Sequence, residues 1–309
     1  MEGVNTFRAW LLAARPKTLV AAALPVCCAL TLAVGDLGDG GTLLVPAAVL
    51  CLLFAVILQV GANYINDYFD YLNGIDGEER SGPRRACAMG WITPRAMRLG
   101  IAATVAAACL CGLPLVIYGG MEMLLIGALC VIFCFLYTTH LSYMGLGDLL
   151  VLVFFGVVPV CVVYYIQLHS VSCEAVLLSI GSGLLVDTLL LVNNCRDYAT
   201  DRRCGKNTLV VRIGREGGCR LYLLAGVVGS VIVCTVMASL LWSCSLRLPG
   251  VVVAAALAVA LVARYAGVYR SMSSAPEGSA MERELTTTSA NMLLTLVVTV
   301  AFGVVGYLI

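Results

Sequence analysis

The sequence predicts an all-α membrane protein with nine transmembrane helices. Of its 309 residues, 61% are hydrophobic and 12% are charged, whereas charged residues make up about a quarter of an average soluble domain. The apolar residues form runs of about twenty, which is the length that a helix needs to cross the hydrocarbon core of a bilayer. We therefore expect a lipid bilayer around this chain and no nucleic-acid partner.

The positions of the nine helices follow from the apolar runs and from the Gly, Pro and polar clusters between them. The first run extends from about Thr18 to Val34, and the second ends near Asn66. The other seven runs cover residues 97–118, 121–138, 148–168, 175–194, 220–241, 249–269 and 289–309. No long linker separates these runs, so we interpret residues 1–309 as a single polytopic domain.

The Lys and Arg residues predict the side of the membrane that each loop occupies, because short cytoplasmic loops carry an excess of them. Of the nineteen Lys and Arg residues, Arg247 alone falls in a predicted loop on the side opposite the N-terminus. The N-terminus and the two charged loops, which follow the second and sixth helices, are therefore predicted to be cytoplasmic. The start of the chain lacks a short apolar region with a small-residue cleavage site, so we expect the first helix to be retained.

Fifteen cysteines are scattered through the apolar runs without a CxxC pair, and the chain has two histidines, His140 and His169. This pattern predicts neither a zinc site nor a disulfide framework. We expect the cysteines to serve as small buried hydrophobic side chains, which is the usual behaviour of a free cysteine.

Acidic and amide side chains gather at the ends of the second and sixth helices. The first group consists of Asn63, Asn66, Asp67 and Asp70, followed in the loop by Asp76; the second consists of Asn193, Asn194, Asp197 and Asp201. Spacings of three and four residues place members of each group on one helix face. An ionised side chain costs roughly 2.5 to 3.5 kcal/mol at the centre of a bilayer, so charges attached to spanning helices usually have a function. Carboxylate and amide oxygens suit Mg2+, which completes its shell with substrate phosphate groups.

Basic side chains stand in the same two loops. They are Arg80, Arg84 and Arg85 in the first loop, and Arg196, Arg202, Arg203 and Lys206 in the second. Arg binds phosphate through two hydrogen bonds, and Lys binds it as a point charge. Acids for a metal ion, bases for a diphosphate and apolar helices for a hydrophobic tail together indicate an amphiphilic diphosphate substrate. The alternative is that Asn and Asp cap or turn the helix ends and that Arg serves membrane topology alone.

Two further residues leave alternatives open. Tyr137, in the predicted loop between the fourth and fifth helices, could face a carbocation through its ring or belong to the interfacial belt of tyrosines. Asp187 precedes Asp197 by ten residues, which places it about 15 Å deeper along the same helix. For Asp187, protonation, pairing with an internal donor and a place in a proton route all stay open.

The two acidic groups resemble the motifs of the UbiA superfamily of intramembrane aromatic prenyltransferases, NDxxDxxxD and DxxxD. The segment NDYFD supplies Asn66, Asp67 and Asp70 of the first motif. The segment DYATD supplies Asp197 and Asp201 of the second motif. The resemblance extends over most of the chain through three further stretches, ARPKTL, GPRRACAMGWITPRAM and NNCRDYATDRRCGKNTLVVRIG.

The first motif departs from the superfamily pattern at its last position. Gly74 stands where that Asp is expected, and Asp76 follows two residues later in NGIDGEER. This departure, together with the three stretches above, resembles the branch that uses 1,4-dihydroxy-2-naphthoate in menaquinone synthesis. Because Gly74 has no side chain to coordinate a metal, Asp76 is the expected replacement ligand.

The resemblance implies a fold, a location, a cofactor and a set of site residues. The fold is nine helices around a central cavity capped by the two motif loops, in the plasma (inner) membrane of a bacterium. The cofactor is Mg2+, and the substrates are a polyprenyl diphosphate and 1,4-dihydroxy-2-naphthoate. The expected metal-site residues are Asn66, Asp70, Asp76, Asp197 and Asp201, and the expected catalytic residues are Asp67, Asp197 and Tyr137. The expected diphosphate contacts are Arg84, Arg85, Arg202 and Lys206, and the expected acceptor contacts are Arg15, Lys17, Asn63 and Asn193.

Three other functions compete with this interpretation. A related enzyme acting on 4-hydroxybenzoate is disfavoured because the loop around Tyr137 lacks the basic residue found in those enzymes. A transporter usually has helix breaks at mid-membrane, whereas these acids cluster at one face. A membrane CDP-alcohol phosphotransferase opens its motif with DGxxAR, and DGEER lacks the Ala-Arg pair.

Overall fold

The chain is helical throughout the parts that the structure, a computed structural model, describes, which are residues 5–37, 41–74, 85–240 and 247–308. The helices are α1 Thr6–Ala14, α2 Val20–Asp36, α3 Val45–Leu72, α4 Pro94–Gly119, α5 Glu122–Thr139, α6 Gly147–Leu168, α7 Cys173–Arg196, α8 Tyr198–Arg203, α9 Leu209–Leu240, α10 Arg247–Ser274 and α11 Glu282–Leu308. No strand occurs within these ranges. The predicted all-α class is confirmed.

Eight of these helices are long and apolar enough to cross a membrane, and a bent pair supplies a ninth span. The pair consists of Thr6–Thr18 and Val20–Asp36, which meet at an angle of 48°. The prediction of nine spans is confirmed with this pair counted as one. Helix α1 lies before the first predicted run and ends just before Arg15, which has a φ of +51°, and the 48° bend follows between Thr18 and Val20.

Two helices begin well before the runs that predicted them. Helix α9 starts at Leu209 rather than near residue 220, and α11 starts at Glu282 rather than near residue 289. Charged residues occupy both early segments, so a hydrophobicity pattern marks only the part of each helix in apolar surroundings. Gly214 interrupts the early segment of α9 with a φ of +80°, a conformation that glycine adopts without steric cost.

The helices form a ring in which the first and last spans are neighbours. Helix α2 packs along both α3 and α11, while α9 packs along both α7 and α10. Helix α7 is the innermost of the spanning helices. In its most apolar stretch of 18 residues, 72% are buried, against 17% in the corresponding stretches of α4 and α5. The second acidic group is therefore carried by the most central helix of the ring.

Helix α6 contains one turn of π-helix at Val153–Val157, where it crosses α7. At this crossing, Gly156 and Gly183 face each other, and a Cβ atom on Gly156 would lie 2.5 Å from the backbone oxygen of Ser179. Close backbone approach of this kind is typical of small residues at helix contacts inside membranes. The contact fixes α6 against α7, and π-turns are frequent near functional sites.

Polar side chains on α11 hold it against three other helices. Thr288 and the hydroxyl of Tyr222 on α9 are hydrogen-bonded at 2.8 Å, and Thr31 on α2 donates to the Thr299 carbonyl at 3.1 Å. Arg264 on α10 donates to the side-chain oxygen of Asn291. Each such bond between membrane helices contributes about 0.6 to 2 kcal/mol, so α11 is joined to the ring by more than apolar packing.

Candidate active site

A cavity of about 390 Å3 lies inside the ring, lined by side chains of α2, α3, α5, α6 and α7. Its inner wall is apolar and includes Val26, Phe54, Met123, Phe154 and Val163. Polar side chains gather at the end where α3 and α7 terminate, namely Arg15, Asn63, Asn66, Asp67, Asp70, Arg85, Tyr137, Asp148, Asn193, Arg196, Asp197, Asp201 and Lys206. The two acidic groups predicted from the sequence therefore meet at one mouth.

Asp67 holds the chain that returns after the first motif. Its two carboxylate oxygens each accept a hydrogen bond of 2.9 Å, one from the amide of Ala86 and one from the amide of Cys87. The side chain is fully buried, with 1% of its surface exposed. These bonds fix the segment that carries Arg85, and both oxygens of the predicted catalytic residue Asp67 are occupied by backbone donors.

The other residues of the first motif bind side chains across the mouth. Asp70 forms an ion pair of 2.7 Å with Arg85, and both side chains are largely buried. The hydroxyl of Thr138, on the last turn of α5, donates to the side-chain oxygen of Asn66 at 2.6 Å. Each predicted ligand of this group is therefore held in one orientation by a partner distant in sequence.

The second motif is held by its own neighbours in sequence. Arg196 binds Asp197 through two hydrogen bonds, of 2.7 Å from Nε and 2.6 Å from Nη2. Lys206 Nζ lies 3.9 Å from Asp201 Oδ1 and 5.8 Å from the ring centre of Tyr143. Helix α8 creates this proximity, because it turns the chain at Asp197 and returns it at the end of the helix.

The surroundings of Asp201 change its ionisation. Burial raises its pKa to about 6; the charge of Lys206 opposes this shift, and the charges of Asp197 and Asp70 add to it. Its second oxygen, Oδ2, is buried and accepts no hydrogen bond from the described residues. A divalent cation favours the ionised form of such a group, so Asp201 has both a free oxygen and an electrostatic reason to bind one.

The charges at the mouth fit a divalent cation. Among the described lining residues, five acidic side chains face four basic ones, so a diphosphate would bring further negative charge to a site without a positive excess. Hard oxygen ligands around phosphate are the usual surroundings of Mg2+. The described residues contain no ready-made group of three His, Cys, Asp or Glu side chains, since Asp70 and Asp197 are bound to arginines.

The structure places four of the other predicted site residues on the cavity wall. Arg15, Asn63, Asn193 and Tyr137 line the cavity. The amide group of Asn63 donates to the Ala14 carbonyl at 2.9 Å, and that of Asn193 donates to the Leu189 carbonyl at 2.8 Å. Tyr137 lies on the last turn of α5 rather than in the loop where the sequence analysis placed it.

Two predicted binding residues lie away from the cavity wall. Lys17 is exposed and donates to the Thr286 hydroxyl at 3.1 Å, and Arg202 is exposed on the outer side of α8. Helix periodicity explains the second case, because Arg202 follows the buried Asp201 directly and so faces away from it. Asp76 and Arg84 are outside the described residues.

Two residues that line the cavity were not among the expected site residues. Arg196 was recognised only as a basic residue of the second loop. Its position next to Asp197 in the sequence was the signal that could have identified it as part of the site. Asp148, at the start of α6, was not singled out, because one acid in an apolar run has no motif. Asp187 is buried but is not among the lining residues, and its Oδ1 has no described hydrogen-bond partner.

The described cysteines are free thiols, and six of these fourteen are buried, whereas Cys109, Cys173 and Cys204 are exposed, so the expectation of buried cysteine side chains holds for only part of them. Cys87, outside the spanning helices, illustrates their character, because burial raises its pKa to about 12 and the neighbouring charge of Asp67 adds to the shift. A thiol with such a pKa is inert at neutral pH. The cysteine that contacts the site through its backbone amide therefore brings no thiol chemistry to it.

Comparisons with known proteins identify the family of this chain. A family model described as UbiA prenyltransferase family matches residues 22–297. A 1,4-dihydroxy-2-naphthoate octaprenyltransferase of Haemophilus influenzae is 40% identical over 222 residues, covering 69% of this chain and 71% of that protein. The protein of the same name from Escherichia coli is 37% identical over 75% of this chain and 76% of its own length.

Solved structures share the fold. A UbiA homolog from Archaeoglobus fulgidus bound to GPP and Mg2+ has a TM-score of 0.66 at 15% identity, covering 97% of this chain and 100% of that one. An apo UbiA homolog from Aeropyrum pernix has a TM-score of 0.61 at 16% identity, covering 93% and 98%. The arrangement of helices around the cavity is thus common to proteins of very different sequence.

Proposed function

The chain belongs to the UbiA prenyltransferase family, and from this premise we propose that it transfers a polyprenyl group from a polyprenyl diphosphate to 1,4-dihydroxy-2-naphthoate. The reaction releases diphosphate and carbon dioxide and gives demethylmenaquinol. One observation carries the proposal beyond the family: two acidic helix ends and three basic side chains, Arg85, Arg196 and Lys206, meet at the mouth of an apolar cavity. A substrate with a charged head and a long apolar tail matches both parts.

The mouth binds the diphosphate. Arg85, Arg196 and Lys206 supply hydrogen bonds and positive charge to the leaving group, and bonds to charged groups contribute about 1.5 to 3 kcal/mol each. Mg2+ fits the donor set of Asn66, Asp70, Asp197 and Asp201, with Asp76 as a further candidate. When bound, this cation neutralises the charge that develops on the diphosphate.

The inner wall controls the allylic group. Its apolar side chains hold the polyprenyl tail and keep water from the carbon that becomes positive when the carbon–oxygen bond breaks. The aromatic ring of Tyr137, on the cavity wall near the mouth, can stabilise that positive charge through its π-electrons. Asp67 acts on the reaction indirectly, because it fixes the segment that places Arg85.

The acceptor enters beside the first span. Arg15 lines the cavity close to Asn63, and an arginine is a suitable partner for the carboxylate of 1,4-dihydroxy-2-naphthoate. The aromatic ring of the acceptor then lies between Arg15 and the polyprenyl tail. Attack from the carbon that bears the carboxylate explains how the acid is lost as carbon dioxide.

The function is tested with carboxyl-labelled 1,4-dihydroxy-2-naphthoate, a long-chain polyprenyl diphosphate and Mg2+. Purified protein is expected to release labelled carbon dioxide in step with prenylated product. 4-Hydroxybenzoate, whose prenylation in this superfamily retains the carboxylate, serves as the comparison acceptor. Preference for 4-hydroxybenzoate without gas release would contradict the proposed acceptor and leave prenyl transfer itself in place.

We further propose that the mouth faces the cytoplasm of a bacterial cell, across the plasma membrane. The chain offers two exposed native cysteines as reporters, Cys204 beside α8 at the mouth and Cys173 at the start of α7 on the opposite side. An impermeant thiol reagent added to intact cells is expected to label Cys173, and Cys204 only after lysis. Labelling of Cys204 alone in intact cells would reverse the orientation.

A further inference from the structure

Asp148 is a buried carboxyl group on the cavity wall that belongs to neither acidic motif. It lies at the start of α6 with 7% of its surface exposed, and its Oδ1 is buried without a hydrogen-bond partner among the described residues. None of the ion pairs found among those residues includes it. A buried carboxylate oxygen without a partner costs free energy, so this oxygen is suited to a ligand that enters the cavity.

The start of α6, which carries Asp148, stands next to the aromatic ring of the site. A Cβ atom built on the preceding residue, Gly147, would lie 3.6 Å from Tyr137 Cε2 and 3.8 Å from Tyr137 Oη. Tyr137 and Asp148 both line the cavity, so the wall here offers an aromatic face for a planar ring and, on the residue after Gly147, an acceptor for a hydroxyl.

The backbone fixes this surface. The Gly156–Gly183 contact and the π-turn hold α6 against α7, and Gly147 packs 3.5 Å from Leu190 Cδ2 by the same measure. Asp187, on the neighbouring helix α7, is buried but does not line the cavity. Position 148 also lies in the first turn of a helix, where the backbone dipole favours a negative charge.

The metal-site acids are less suited to accept a proton from the acceptor. Asp70 and Asp197 are bound to arginines, and both oxygens of Asp67 accept backbone hydrogen bonds. Asp201 pairs with Lys206. Among the described lining acids, Asp148 alone combines a free oxygen with the lack of a basic partner, since Asp70, Asp197 and Asp201 pair with cations and both Asp67 oxygens are occupied.

We propose that Asp148 is a catalytic residue that binds the 1-hydroxyl group of the aromatic acceptor and removes its proton as the new carbon–carbon bond forms. The inference rests on the proposed function. The hydroxyl lone pair becomes the C1 carbonyl, the C1–C2 double-bond pair forms the bond to the prenyl carbon, and the pair of the broken carbon–oxygen bond leaves with diphosphate. The proton resides on Asp148.

The same group completes the second half of the reaction. The bond from C2 to the carboxylate breaks, its electron pair restores the C1–C2 double bond, and carbon dioxide leaves. The C1 carbonyl becomes a hydroxyl again by taking back the proton from Asp148. Atoms and electrons balance without an oxidant or reductant, and Asp148 ends in its initial state.

The test compares Asp148→Asn with Asp187→Asn, which removes a neighbouring buried carboxyl group that does not line the cavity. General-base catalysis contributes about 10²- to 10⁴-fold, so Asp148→Asn is expected to lower kcat by that factor. Its KM for polyprenyl diphosphate is expected to change by less than about threefold, since that substrate binds elsewhere at the mouth. Asp148→Glu, which keeps the carboxyl group, is expected to recover part of the rate.

A binding measurement separates this role from a structural one. 1-Hydroxy-2-naphthoate and 1-methoxy-2-naphthoate, followed by their fluorescence, differ in the hydroxyl hydrogen that Asp148 is proposed to accept. The wild-type protein is expected to prefer the hydroxy compound by about tenfold, and Asp148→Ala to lose this preference while still binding geranyl diphosphate.

Three outcomes overturn the inference: a wild-type rate in Asp148→Asn, an equal loss in Asp187→Asn, or an unchanged preference in Asp148→Ala. Failure of the proposed function has a different signature, because the wild-type protein itself would then form no prenylated naphthol. Loss of geranyl diphosphate binding in Asp148→Ala and Asp148→Asn would also count against the inference, since it would assign the residue to the fold.

Discussion

The two acidic helix ends look alike in sequence and are built differently. The end of α3 is held by residues fifteen to twenty positions away, since Asp67 and Asp70 bind Ala86, Cys87 and Arg85. The end of α7 is held locally, since Arg196 binds the adjacent Asp197 and α8 returns Lys206 to Asp201. One end therefore depends on the correct return of a loop, whereas the other is formed by a single turn of chain.

The largest expected effect tests what the two ends share. Asp70→Asn and Asp197→Asn are each expected to lower kcat by about 10²- to 10³-fold or more, the scale for loss of one charge-stabilising group. Excess chelator is expected to abolish activity in the wild-type protein, and added Mg2+ or Mn2+ to restore it. Turnover at the wild-type rate in chelator would remove the metal from the mechanism.

The next effect tests how firmly each end holds its basic residue. Arg85→Ala leaves the largely buried carboxylate of Asp70 without its 2.7 Å partner, whereas Lys206→Ala removes a contact of 3.9 Å. Both are expected to raise the KM for polyprenyl diphosphate, by up to about 100-fold for Arg85→Ala and about 10-fold for Lys206→Ala. Arg220→Ala, which breaks an exposed pair with Glu216, is the matched control. The reverse order of effects would show that the local end carries more of the diphosphate.

The smallest effect on turnover is expected at Asp67. Because this residue holds the returning loop at the end of α3, its substitution is expected to lower the stability of the protein more than the rate of the reaction. Asp67→Asn replaces one accepting oxygen by an amide group that faces a backbone N–H, at a cost of about 1.5 to 3 kcal/mol. Its melting temperature in detergent is expected to fall below that of Asp197→Asn, while its kcat stays the higher of the two. Equal melting temperatures with a lower kcat for Asp67→Asn would assign Asp67 to the chemistry instead.

The sequence predicted the class of fold and the meeting of the two acidic groups, because both depend on patterns along single helices. Apolar length predicts a span, and three- and four-residue spacing predicts which side chains share a face. The partners of Asp67 were not predictable, since a hydrogen bond to the amide of Ala86 depends on how the loop returns. Lys17 and Arg202 were predicted to bind substrate and do not line the cavity. A basic residue next to a motif can face away from the site, and its direction depends on packing that the motif does not encode.

Asp148 shows why a lone residue escapes pattern reasoning. Its role depends on what lies across the cavity, and the Gly156–Gly183 contact that sets its position is invisible as a motif. Asp187 was the more conspicuous acid in the sequence, yet it lies outside the cavity wall. The difference between these two acids arises from helix packing, which brings one of them to the cavity surface and leaves the other behind it.

The pairing of the first and last spans has a consequence for biosynthesis. Helices enter the membrane in the order of translation, so α2 waits without its neighbour until α11 has been made. During that interval the Thr31 hydroxyl lacks the Thr299 carbonyl, and the Tyr222 hydroxyl lacks Thr288. Because α2 also packs along α6 and α7, the cavity can be enclosed before α11 is made, and the last helix adds the polar contacts that join the first span to the end of the chain.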